Sequence, residues 1–163
     1  MSIFVIEDLF MHVCNNISNV QELIKLESLS HFHIAIIRKN RWNNLIVSTC
    51  NNINLITMLE THNFSNLHLK YLNITYETVL KLVGAYKLNL KYTNITDESI
   101  SKIINIHTLN LSHTRVTDES VSKLINVHML NLSHTQITYK SVSKLINAHT
   151  LNLSHTRVTD ESV

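Results

Sequence analysis

Leu67, Leu88, Leu109, Leu130 and Leu151 recur at one constant interval, and each opens a short L-x-L unit. A fixed period of this length constrains the chain more than any single motif. One such unit cannot bury its own apolar face, so the units must stack and share a continuous core. The five units begin LHLKYLNIT, LNLKYTNIT, LNLSHTRVT, LNLSHTQIT and LNLSHTRVT.

Each unit carries its own local instructions. Leu109, Asn110, Leu111 and Ser112 alternate apolar and polar, which predicts a short strand with leucines inward and polar residues outward. Thr75, Thr96, Thr117, Thr138 and Thr159 fall where a helix N-cap is needed, and DES follows three of them, placing carboxylates at the positive end of a helix. Val121, Leu124 and Ile125 supply an apolar helix face. Gly84, Asn105, Asn126 and Asn147 then occupy the stop position, as residues that tolerate a left-handed turn. Thr93, Thr114, Thr135 and Thr156 are expected to form an internal hydroxyl ladder bonding loop backbone groups, interrupted by Leu72.

The stretches IHTLNLSHTRV (106–116) and VHMLNLSHTQI (127–137) resemble the leucine-rich repeat, with its L-x-x-L-x-L-x-x-N/C/T-x-L pattern. The resemblance implies an α/β leucine-rich-repeat solenoid of parallel strands and short helices. The solenoid is expected over 45–163: a degenerate rung at 45–66, repeats at 67–87, 88–108, 109–129 and 130–150, and a partial unit at 151–163. That last unit lacks most of its helix, so the expectation is either a natural truncation there or a cover over the edge strand near 151–155.

The pattern over 1–44 is helical. Ile6, Leu9, Phe10, Val13 and Ile17 share one face, Asn19 with Glu22 reads as a capping box, and Ser30 is placed to open a third helix. A module this small needs support from the solenoid or a partner. VIEDLFMHV, LIKLESLSHFH and RKNRWNNLIVS resemble an F-box and its exit into repeats, with Ile6 at the usual proline position and Trp42 ahead of Leu45. Joined to the repeats, in an Asn- and Ile-rich, proline-free chain, the segment resembles the F-box/leucine-rich-repeat proteins of giant DNA viruses of amoebae. The resemblance implies a receptor subunit of a cullin-RING ubiquitin ligase, recruiting a target for ubiquitin transfer catalysed elsewhere. Ile6, Leu9, Phe10, Val13, Leu23, Leu26 and Leu29 would then dock on a Skp-type adaptor; the alternative is that they are the core of a solenoid cap.

Composition narrows the remaining classes. One glycine and no proline in 163 residues leave no glycine-rich phosphate loop or dinucleotide turn. A formal charge of +2 gives no field that implies nucleic acid or a membrane surface, and the basic run Arg38, Lys39, Arg41 beside Trp42 is too short for a nucleic-acid site. Apolar runs far shorter than a membrane span, and an N-terminus without a signal-peptide pattern, predict a cytoplasmic protein. Cys14 and Cys50 form neither a disulfide framework nor a catalytic pair with histidine, and no enzyme, cofactor or metal is expected. Eleven histidines include two rows, His107, His128, His149 and His113, His134, His155. Rows of one ligand type lack the convergence of a metal site. With Tyr71 and Tyr92 continuing the second row, they predict stacked rings whose imidazoles titrate below their usual value.

Target binding is expected on the outward sheet face. One column there holds His68, Asn89, Asn110, Asn131 and Asn152, and the next holds Lys70, Lys91, Ser112, Ser133 and Ser154. Lys70, Tyr71, Lys87, Lys91 and Tyr92 make its first two rungs basic and aromatic, suited to an acidic target segment. An ordinary solvated strand face is the alternative.

Overall fold

The computed structural model describes residues 41–42, 59, 63–103 and 105–159. The helical module expected over 1–44 lies outside these residues except for two, and with it Ile6, Leu9, Phe10, Val13, Leu23, Leu26 and Leu29. Those two form β1 (Arg41–Trp42), which pairs in parallel with β2 (Asn63–Phe64), Trp42 opposite Phe64. Most of the rung expected over 45–66 is likewise outside the described residues.

The main sheet is parallel throughout and follows chain order: β3 (Asn66–His68), β4 (Lys87–Asn89), β5 (Thr108–Asn110), β6 (Met129–Asn131) and β7 (Thr150–Asn152). Leu67, Leu88, Leu109, Leu130 and Leu151 lie opposite one another in unbroken register. Between strands run α1 (Tyr76–Lys81), α2 (Asp97–Ile100), α3 (Asp118–Val121) and α4 (Tyr139–Val142). The threonines act as N-caps: Thr75 accepts the Thr78 N–H, Thr117 that of Glu119 and Thr138 that of Lys140, while Thr96 holds the position without a side-chain bond.

One rung shows the packing. Leu109, Leu111, Val116, Val121, Leu124 and Val127 are all buried, and the matching positions of the neighbouring rungs join them in one core. Inside the turn after each strand, the hydroxyls of Thr93, Thr114, Thr135 and Thr156 donate to the carbonyls of Leu90, Leu111, Leu132 and Leu153 at 2.6–2.7 Å. Leu72, in the same slot, packs against the core instead.

Two expectations about the helix ends are corrected. Ile125 is 46% exposed, because the α-helix stops at Val121 and the chain continues in i→i+3 turns (Lys123 to Ser120, Leu124 to Val121, Val127 to Leu124). That tighter winding swings Ile125 away from the face of Val121 and Leu124. The stop position is left-handed at Gly84 (φ 104°) but not at Asn126 or Asn147, since i→i+3 turns need no left-handed residue. Asn147 serves otherwise, its Nδ2 donating to the Ile125 carbonyl of the rung before at 2.8 Å.

Candidate functional site

The left-handed residues lie just past the strands, at Tyr71, Tyr92, His113, His134 and His155, all with φ between 56° and 61°. Each is the third residue of a tight turn, closed for example by Thr135 N–H donating to the Leu132 carbonyl at 3.2 Å and usually occupied by glycine or asparagine. Two bonds hold the turn in place. The strand's asparagine folds its Oδ1 forward onto the N–H two residues on, Asn89 to Lys91, Asn110 to Ser112, Asn131 to Ser133 and Asn152 to Ser154, at 3.0–3.1 Å. The left-handed residue then donates its own N–H to the next rung, Tyr71 to Lys91, Tyr92 to Ser112, His113 to Ser133 and His134 to Ser154.

Tied rung to rung, these side chains stack. Ring centroids are 4.8 Å apart for Tyr71 and Tyr92, then 4.1, 4.1 and 4.2 Å through His113, His134 and His155. A second ladder precedes the strands: Tyr86 on His107 and His107 on His128 at 4.5 Å, and His128 on His149 at 5.2 Å. Here the carbonyls of Tyr86, His107 and His128 each accept two N–H groups from the following rung, so the backbone fixes the ring spacing. Sequence reasoning misses Tyr86, although it stands one full repeat before His107.

Between the ladders lie most of the predicted target-binding residues. His68, Asn89, Asn110, Asn131, Lys91 and Ser133 are half-buried, and Lys70, Lys87, Asn152 and Ser154 are exposed; Tyr92 belongs to the ladder itself. Ser112 is the exception at 1% exposure, its hydroxyl without a hydrogen-bond partner. A short side chain in the middle of the column, with Lys91 on one side and Ser133 on the other, does not reach the surface. The asparagines therefore shape the turn as well as the surface, each having its Oδ1 committed.

Among the described residues the carboxylates are Glu77, Asp97, Glu98, Asp118 and Glu119, all in the first turns of helices. None is on the sheet face, where Lys70, Lys87 and Lys91 are found. The aspartates do more than face a helix dipole. Asp97 accepts from the Thr117 N–H (2.8 Å), the Thr117 hydroxyl (2.6 Å) and the Ser120 hydroxyl (2.5 Å), clamping the next rung's cap. Asp118 repeats this on Thr138 and Ser141. Burial works to raise both pKa values, but the hydrogen bonds together outweigh it and hold each carboxyl below its usual value.

Desolvation, followed by the charges of His128, Lys87 and His149, lowers the His107 pKa; desolvation, followed by His134, Lys91 and His155, lowers that of His113. His68 is lowered too, by burial and then Lys70. Among the described residues no three His, Cys, Asp or Glu side chains converge where an ion could sit, and no helix is long and apolar enough to cross a membrane.

A strand in every unit, an internal threonine turn in four of them and a short helix between successive strands, with leucines in register, describe a known repeat, and residues 103–125 match the Leucine Rich repeat family model. Over those residues the repeating unit is similar to a leucine-rich repeat. No curated protein matches the chain. Leucine-rich repeats are generally modules that bind other proteins rather than enzymes, and they do so on extended surfaces of stacked units.

Proposed function

We propose that the leucine-rich repeats hold a protein target on the outward sheet face, and that residues 1–44 dock on a Skp-type adaptor. The chain would then be a cytoplasmic, substrate-recruiting subunit of a cullin-RING ubiquitin ligase. The observation that carries target binding is the solvent-facing surface of five register-locked strands between two ring ladders. Support for the adaptor arm is the F-box resemblance of 5–48. No covalent step is required of the chain.

Co-expression with a Skp adaptor followed by size-exclusion chromatography tests this. Co-elution is expected for the wild type and lost in the Leu9→Glu, Phe10→Glu double variant. A folded wild-type chain that elutes alone would sink the ligase assignment. The repeats would then stand as an interaction module that binds or masks a protein without a ligase.

A further inference from the structure

We infer that the outward sheet face takes an acidic, extended protein segment, and that the histidine ladders take up protons from solvent as it binds. This rests on that face being the binding surface. Charge complementarity selects the partner: the described carboxylates all lie in the helix first turns, leaving Lys70, Lys87, Lys91 and the ladder rings to meet it. Five strands at about 4.8 Å spacing span about 19 Å, the reach of about six extended residues.

Ring geometry supplies the proton coupling. His128 and His149 direct Nδ1 at the backbone carbonyls of Asn126 and Asn147, at 3.2 and 3.0 Å. A carbonyl only accepts, so Nδ1 carries the hydrogen and a neutral ring has a bare lone pair at Nε2. That nitrogen repels a carboxylate until it binds a proton, whereupon it becomes a charged donor. The charged groups acting on His107 and His113 are other histidines and Lys87 or Lys91, with no carboxylate among them, and on the other side the stacks continue into tyrosines, Tyr86 in one and Tyr92 then Tyr71 in the other. Among the described residues no carboxylate acts on His107 or His113, and an arriving acidic segment supplies one.

The same stacking disfavours single-stranded nucleic acid. Bases bind such proteins by lying on aromatic faces, and here the rings inside each ladder have both faces taken by neighbouring rings.

Calorimetry on the full chain with an octaglutamate peptide, at about pH 8 and about pH 6 in buffers of different ionisation enthalpy, tests the inference. Binding should tighten about three- to fivefold at the lower pH, the effect near pH 6 of raising one imidazole pKa by one unit, with net proton uptake. Lys87→Glu with Lys91→Glu should abolish binding, and His107→Gln with His128→Gln and His149→Gln should flatten the pH profile. Binding that ignores pH, or tighter binding of an oligo-dT of equal charge, overturns the inference. Random-peptide display against the wild type and against Met129→Trp, Thr150→Trp, two exposed positions of the face, separates it from the parent reading. Acidic peptides lost on the variant support both. Neutral or basic peptides lost on it overturn the inference and keep the face as the binding surface, and no loss overturns both.

Discussion

Tyr71, Tyr92, His113, His134 and His155 hold a backbone conformation that costs a residue with a Cβ about 1–2 kcal/mol. Ring stacking and rung-to-rung hydrogen bonds offset that cost, so the two contributions can be separated by mutation. His134→Ala loses the ring and keeps the strain, whereas His134→Gly loses the ring and relieves it. The glycine variant should therefore be the more stable by about 1 kcal/mol in urea unfolding; equal stabilities would show the turn to be unstrained. Asp118 poses a different test. Asp118→Asn removes the charge from three hydrogen bonds and should cost about 1–2 kcal/mol, at the lower end for a partly solvated group. Because hydrogen bonding depresses this pKa in the folded state, the carboxylate's contribution is complete above about pH 4, the unfolded value, and is lost as pH falls through the folded one. The difference between wild type and variant should shrink in that window, and a constant difference would show that charge is irrelevant to the clamp.

At the scale of elements, the strands and N-caps were legible because both depend on contacts within a few residues: period-two leucines and a threonine ahead of an acidic turn. The helix ends were not. Whether a chain leaves a helix through a left-handed residue or through i→i+3 turns depends on where the next strand must begin, and Ile125 and Asn126 follow from that return path. The ladders were partly legible, since Tyr71, Tyr92 and the histidine rows share the period of the leucines. Ladder histidines with lowered pKa values give a pH signature of known sign. Between the unfolded value near 6.5 and the lower folded value, the unfolded chain binds more protons, so stability falls as pH drops through that window. Melting temperature should decline from about pH 7.5 to below pH 6. The decline should be shallower in His107→Gln, His113→Gln; an unchanged slope would exclude the ladders as its source.

Over the whole molecule, stability is expected to be graded along the stack rather than uniform, because each rung packs only on its neighbours. Leu111 is fully buried between two rungs, while Leu153 is only partly buried, on a rung with a described strand on one side alone. Leu111→Ala should cost about 3 kcal/mol and Leu153→Ala about 1 kcal/mol, with amide exchange fastest near β7. Equal costs would mean that the end rung is supported as well as the middle. The candidate face was similarly divided between sequence and structure. Its columns of asparagine, lysine and serine could be placed from the strand period, yet Ser112 proved buried, and the Oδ1 atoms of the asparagines proved committed to their own turns. The rung architecture, its register and the inward leucines of the strands were determined by the sequence alone, since period and alternation are properties of one chain direction. The left-handed turns and the aspartate clamps across rungs were decided only in the tertiary structure. These arise from atoms a whole repeat apart along the chain brought to within a hydrogen bond of one another, a proximity no local pattern encodes.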